Sequence, residues 1–474
     1  MRKENRGITY KWISVIVVII GTLMTSLDVG IIRIVLPYFS EIFQVDSNTV
    51  LWLSLIFLLT SACLMLTLGR IGDTFGRKRL FTAGLIVFSM GLGVSSIAQS
   101  FTQLLIYSTI QAVGSAMIIS NGNAIVTASF PTEERGKALG IIGAAVGVGL
   151  LSGPALGGVL LDIFDWRAIY YLRLPIGIIG AIMAWTLLKE PPVSKRNNKF
   201  DFIGAATIFI TMSCLLLSIN RGQSLGWTSP LIISLGVACI ISFTVSIFVE
   251  NRVPQPVVDL SLFRIRLFRA ASVSHILNFM GTASVNFLMP FFLIQGLGFS
   301  NSKSGLILIA IPAVYIIVAP IAGRLSDKLG TLSLCTFGLT LISFGMFLLR
   351  GIGDDTSVFN IIWRFFVIGT GLALFDIPNS SAIMGSAPKE RLGTASAMVA
   401  TLRHIGMSIG TAIAGTAFTS NRLSYAAQLS SRGLAEEAIK VLSTISGFHT
   451  AILVTMLFPA TGVVISLLRG RRTT

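Results

Sequence analysis

Apolar positions in this chain come in long blocks separated by short polar turns, with no two-residue alternation of half-buried strands and no narrow helical stripe. A bilayer-spanning helix needs about 20 mostly apolar residues. By that measure the pattern predicts fourteen helices, near 12–36, 50–69, 79–99, 102–130, 137–161, 168–188, 201–220, 230–250, 268–294, 304–324, 331–350, 358–386, 394–418 and 446–468. The first block is too long for a signal-peptide core and holds Asp28, so it reads as a retained span. Between the last two blocks, 419–445 reads as the one sizeable extramembrane loop, with a short surface helix over Leu434–Leu442.

Polar punctuation gives a second layer of information. Helices 2 and 3 are joined by Gly69-Arg70-Ile71-Gly72-Asp73-Thr74-Phe75-Gly76-Arg77-Lys78-Arg79, and helices 10 and 11 by a reduced copy, Gly323-Arg324-Leu325-Ser326-Asp327-Lys328-Leu329-Gly330. The copies stand eight helices apart. Two six-helix repeats would place them six apart, so a pair of spans is read as inserted between related halves. This divides the chain into 1–188, a six-helix repeat; 189–267, a two-helix insert with its linkers; and 268–474, a second six-helix repeat.

Composition then fixes the class. Residues are 53% hydrophobic and only 12% charged, against about 25% charged in soluble domains, so this is an integral membrane protein. A net charge of +16 in a soluble chain would raise nucleic-acid binding. Here lysine and arginine collecting on cytoplasmic loops account for it, and no nucleic-acid partner is expected. With the N-terminus inside, the basic clusters Arg77-Lys78-Arg79, Lys195-Arg196 with Lys199, and Arg264, Arg266 and Arg269 all face the cytoplasm. The acids Glu41, Asp46, Asp162, Asp165, Asp354 and Asp355 then fall outside. Both termini are therefore expected in the cytoplasm and the protein in the cell membrane. Cys63, Cys214, Cys239 and Cys335 lie in apolar runs at unrelated spacings, which reads as packing and not as a metal or disulfide framework. His275, His404 and His449 are scattered and show no ligand spacing; His404, beside Arg403, reads as a packed or lipid-interface side chain or as a member of a polar network.

The hairpin pattern Gly-x-x-x-Asp-x-x-Gly-Arg-Lys-Arg resembles the signature of the major facilitator superfamily. Gly143, Gly147, Gly149, Gly153-Pro154 and Gly157-Gly158 in helix 5 are similar to that superfamily's antiporter motif. Leu27-Asp28-Val29-Gly30 through Leu36-Pro37 resembles the helix 1 pattern of its fourteen-helix drug:proton antiporters. Trp166-Arg167 through Pro175-Ile176-Gly177, and Pro378-Asn379 with Arg403-His404-Ile405-Gly406, are similar to that family too. The resemblance implies an all-α major facilitator fold, two six-helix repeats plus a two-helix insert, around a central cavity. It also implies a secondary transporter that exchanges small amphipathic compounds for protons and needs no cofactor, metal or catalytic residue.

An acid on a short turn can accept backbone N–H groups and oppose the positive end of a helix. The resemblance implies that Asp73 does so at the start of helix 13, near Gly393-Thr394, with Arg77 and Arg135 completing a charge network and Asp327 acting likewise at the start of helix 5. Gly69 and Gly76 belong to this cytoplasmic gate. A merely topogenic basic turn explains Lys78 and Arg79 but not the acid–glycine spacing. In helix 5, small residues at four-residue spacing let another backbone approach closely, and Pro154 invites a bend. Ordinary packing and an antiporter-type seal both fit.

Charges inside spans cost several kcal/mol when exposed to lipid, roughly 2.5–3.5 on insertion scales. Asp28 and Asp376 are the acids placed inside spans; Arg33, Arg173, Arg364 and Arg403 are the bases. Each acid is a candidate proton carrier or half of a permanent ion pair. Arg33 and Arg173 stand where the family pattern has asparagine, and Ser108 stands where its helix 4 has an arginine. Arg33 is one candidate for supplying that missing charge beside Asp28. The coupling set is therefore Asp28, Arg33, Arg173, Asp376 and Arg403. Two acids against four bases keep a proton-linked carrier of an anionic metabolite or peptide-like molecule open. A membrane enzyme or sensor would need a catalytic constellation or a large extramembrane domain, and the sequence shows neither. The expected partners are a small-molecule substrate, protons and the bilayer, with the monomer as functional unit.

Overall fold

The computed structural model describes residues 2–45, 47–50, 52–190, 201–253, 256–257, 260–299, 301–353, 356–388, 391–432 and 434–469. Lys195, Arg196, Lys199, Asp46, Asp354 and Asp355 lie outside them, as do the side chains of Arg33, Glu41 and Asp162.

Fourteen helical spans among the described residues are long and apolar enough to cross a membrane, the sixth only together with the turn that leads into it, and no strand is present among the described residues. Their main helices are α1 (Arg2–Ile42), α2 (Trp52–Phe75), α3 (Arg77–Ser95), α4 (Phe101–Ser129), α5 (Arg135–Ile163), α6 (Leu174–Leu187), α7 (Phe202–Leu225), α8 (Pro230–Glu250), α9 (Arg266–Phe291), α10 (Ala310–Leu329), α11 (Thr331–Leu349), α12 (Val358–Ser386), α13 (Leu392–Ser431) and α14 (Glu436–Leu467). Short helical turns, Ala168–Tyr171 and Asn301–Leu308, lead into α6 and α10.

Local chemistry sets the starts. Ser100, Asp201, Ser229 and Ser357 accept the amides of Gln103, Gly204, Ile232 and Asn360, and Pro230 adds its fixed φ at the first position of α8. The two tight hairpins each pivot on a glycine of positive φ, Gly76 at 116° and Gly330 at 81°. Large apolar side chains lie on the outside, Ile240, Phe243, Ile182 and Trp185 among them, each more than half exposed. Hydrocarbon surroundings make that arrangement favourable.

Packing repeats with an offset of eight helices. In the first group α1 packs on α5, α3 on α4, α2 on α4 and α3 on α6. In the last group α9 packs on α13, α11 on α12, α10 on α12 and α11 on α14. The groups meet chiefly through α5 with α10 and α2 and α4 with α13, whereas α1 and α9 have no comparable contact. α7 leans on α2 and α13 beside this seam and carries α8 on its far side.

The long loop expected over 419–445 is helix instead. α13 has 40 residues, roughly 60 Å at 1.5 Å each, about twice the hydrocarbon thickness. It runs on to Ser431, and α14 already begins at Glu436, absorbing the short surface helix. Phe418 and Leu429 are buried along this stretch, and Ser446 Oγ donates to Asn421 Oδ1 at 2.9 Å, so the two helices support each other there.

Candidate functional site

An even number of crossings puts both termini at one end of the bundle, and carboxylates there cap helices across the seam. Asp73, two residues before the end of α2, takes the amides of Gly393 and Thr394 on Oδ1 and Oδ2, each at 2.8 Å. Thr394 Oγ1 adds a third bond at 2.9 Å. Arg77 pairs with the same carboxylate through Nε and Nη2, both at 2.8 Å. Asp327, near the end of α10, takes the amides of Gly136 and Lys137 at 2.9 Å each. The first amides of a helix have no partner within it and carry its positive dipole end, so a carboxylate satisfies both needs at once. Glu190 repeats the device within the first group, accepting from the amides of Lys78 and Arg79 at 3.2 and 3.1 Å. Arg135 sits at the start of α5 and donates to Phe130 O at 3.4 Å.

Glycine makes these contacts reachable. A Cβ on Gly69 would stand 2.6 Å from Ala397 Cβ and 2.7 Å from Gly393 O. One on Gly323 would collide with the carbonyl of Gly136. A Cβ on Gly76 would stand 2.7 Å from the Glu190 carboxyl carbon.

The glycines of α5 divide by face. Gly140, Gly143 and Gly147 meet Ala319, Ile377 and Ile316 of the last group. Gly149 and Gly153 meet Ser26 and Gly30 of α1, where a Cβ on Gly153 would be 2.7 Å from Gly30 Cα. Gly157 has ordinary contact with Ile31, and Gly158 faces open space. Pro154 lies inside a continuous helix, its ring against Gly30. One stretch of α5 therefore closes the seam and the next fixes α1.

Asp28 and Arg173 are buried and paired, Oδ1 to Nη1 at 2.7 Å, and Arg173 Nε also donates to Ile169 O at 2.6 Å. This joins α1 to the residue just before α6. Arg33 is on the same helix as Asp28, and its side chain lies outside the described residues.

Asp376 belongs to a larger buried network. Its Oδ2 accepts from Tyr315 Oη at 2.8 Å and from Arg403 Nη2 at 3.3 Å. Its Oδ1 is buried with no hydrogen-bond partner and lies 3.9 Å from His275 Nδ1. His275 Nε2 is 3.1 Å from Val399 O, and its Nδ1 is 3.2 Å from Asn379 Nδ2. Asn379 Nδ2 donates to Ala271 O at 3.1 Å, and Asn379 Oδ1 accepts from Arg469 Nη2. Five helices or their ends thus converge: α9, α10, α12, α13 and the residue two past α14.

Two members were not singled out from the sequence. His275 belongs to the polar network around Asp376. Arg469 is a buried base, 3% exposed, just past the expected end of the last span. The available signal was the pair Asp376 and Asn379, three apart and so on one helix face, which requires polar partners from neighbouring helices. His404 is packed beside Arg403, with its Nδ1 unpartnered.

A family model described as Major Facilitator Superfamily matches residues 18–411. Riboflavin transporter RibZ of Clostridioides difficile (strain 630) is 31% identical over 411 residues, 86% of this chain and 88% of that protein. Multidrug resistance protein Stp of Mycobacterium tuberculosis (strain ATCC 25618 / H37Rv) is 28% identical over 398 residues, 84% of this chain and 74% of that one. Among solved structures, the human organic anion transporter MFSD10 (TETRAN) superposes with a TM-score of 0.66 at 15% identity, covering 98% of this chain and 99% of that one. At that identity the likeness speaks to the fold alone.

Proposed function

The chain belongs to the major facilitator superfamily, and within that transporter family we propose that it exports small amphipathic compounds in exchange for protons. It is a transporter and not an enzyme. The reading takes 1–188 and 268–474 as two halves that rock about a midplane site, with 189–267 as a flanking insert. Both termini face the cytoplasm of the cell membrane in this reading, supported by the basic clusters at that end. One chain supplies both sides of the gate, which favours a working monomer.

The observation that carries proton coupling is the carboxylate of Asp376. It is buried, its Arg403 contact is long at 3.3 Å, and its second oxygen has no partner. Such an oxygen can take a proton without breaking an existing bond. Asp28 differs in being held by Arg173 in a direct ion pair at 2.7 Å, closer than the 3.3 Å Arg403 contact of Asp376. Asp376 is therefore the proton carrier and Asp28–Arg173 the permanent pair. A cycle follows: a proton from outside loads Asp376, substrate leaves, the terminus-bearing end opens, and the proton passes to the cytoplasm. The capped ends of α5 and α13 hold that end closed in this reading, as an outward-facing state of the cycle requires.

A second reading is a proton-linked carrier of an anionic metabolite or of a flavin-like ring system. It is favoured by the half-buried Arg403, 3.3 Å from Asp376, together with the buried Arg469 on the neighbouring Asn379, two bases around one acid, and by the name of the riboflavin-transporting relative. Everted vesicles with an acidic interior separate the two. Accumulation of an amphipathic cation, abolished by protonophore, supports export; riboflavin uptake only into right-side-out cells supports the second reading.

A further inference from the structure

The network around Asp376 holds an acceptor that the proton cycle above does not use. His275 is fully buried, about 14 Å from the terminus-bearing start of α9 at 1.5 Å per residue. Its tautomer follows from its partners. Nε2 faces the Val399 carbonyl, which only accepts, so Nε2 carries the hydrogen and Nδ1 presents a lone pair. That lone pair faces two groups. One is Asn379 Nδ2, a donor at 3.2 Å; the other is Asp376 Oδ1, which is unpartnered at 3.9 Å.

One lone pair serves one good hydrogen bond, so the two partners compete. While Asp376 is ionised, Oδ1 has nothing to donate and Asn379 holds the ring. Protonation on Oδ1 creates an O–H donor beside Nδ1. Closing the gap by about one ångström gives an ordinary O–H···N bond. Resting on the proposed proton coupling, we propose that the proton loaded on Asp376 is bonded to Nδ1 of His275, which exchanges its Asn379 partner for the acid. No bond to carbon changes: H⁺ adds to the Oδ1 lone pair, and the new O–H donates to Nδ1.

The exchange has a second consequence. Asn379 keeps Ala271 O and the Arg469 guanidinium, so the group released by His275 is the one that holds the end of α14. Loading of the acid is thereby relayed to the terminus-bearing end. The charged and titratable groups facing His275 are Asp376 from α12, Arg403 from α13 and Arg469 past α14. Tyr315 from α10 touches the same carboxylate, and Cys335 from α11 packs beside it, its Sγ 3.8 Å from Phe375 O. His275 is thus a positioning residue for the proton and not its carrier.

Two substitutions separate this role from a structural one. His275→Gln keeps a donor near the Nε2 position for Val399 O and removes the Nδ1 acceptor. His275→Asn keeps an acceptor near the Nδ1 position and gives up the Val399 bond. The readout is infrared titration of the carboxylic acid C=O band of the full-length protein in nanodiscs, assigned by its loss in Asp376→Asn. One hydrogen bond lost from the acid form moves the midpoint by about one pH unit. His275→Gln is expected to shift it that far to acidic pH, and His275→Asn to leave it near wild type. Asn379→Leu removes the competing donor and is expected to shift it the opposite way. An unmoved midpoint in His275→Gln, an equal shift in both histidine variants, or no titrating Asp376 band overturns the proposal. A titrating band without proton-driven transport instead overturns the proposed function and leaves the hydrogen bond standing.

Discussion

Asp73 and Gly393, 320 residues apart in sequence, meet through one carboxylate oxygen and one backbone amide at 2.8 Å. The contact ties the end of α2 to the start of α13, and Asp327 makes its counterpart between α10 and α5. Both lie where the two groups of helices touch at the terminus-bearing end.

Hydrogen bonds to a charged group contribute about 1.5–3 kcal/mol each, less when water replaces the partner. Asp73→Ala removes three of them across the seam and is expected to shift the gate at least tenfold toward opening at this end. Pulsed electron resonance between spin labels on Phe75 and Leu329 should show a longer distance gaining population. An unchanged distance distribution would show that the cap does not hold the gate.

Overpacking a tight contact costs about 1–3 kcal/mol. Gly323→Val places a side chain against the Gly136 carbonyl and is expected to slow transport more than tenfold. Gly158→Val, on open space, should stay within about twofold of wild type. Initial transport rates at matched protein amounts check both.

Breaking a buried ion pair from one side costs about 3 kcal/mol, because the partner is left charged and alone. Asp28→Asn and Arg173→Gln are each expected to lower thermal stability, while the double variant regains most of the loss. Proton-driven transport should persist in the double variant. Additive losses in the thermal unfolding of the four proteins would remove the pair from the account.

For the proton carrier, the expected signature is a split between coupled and uncoupled modes. Asp376→Asn should lose accumulation against a gradient and keep substrate exchange across proteoliposomes at equal pH. Losing both modes alike would mark Asp376 as a substrate or folding residue.

What was legible in the sequence follows from locality. Asp73, Gly76 and Arg77 stand within five residues of one another, so the capping device can be read from one hairpin. The fourteen crossings follow from apolar runs that only a bilayer requires. The glycines of α5 were ambiguous in sequence because spacing gives a face but not the neighbour on it. The overhang of α13 and α14 was hidden by polar residues from Ser420 to Ser431, which resemble a loop unless a second helix is known to lie beside them. The Asp376 network was the least legible. His275, Tyr315, Asn379 and Arg469 come from four elements, and no spacing along one helix relates them.

Proton-coupled export is most directly tested by transport into everted membrane vesicles holding an acidic interior, with cationic, neutral and anionic compounds and riboflavin as the panel. The account predicts accumulation of an amphipathic compound that collapses with protonophore and is absent in Asp376→Asn. Accumulation indifferent to the pH gradient, or equal in Asp376→Asn, would contradict it.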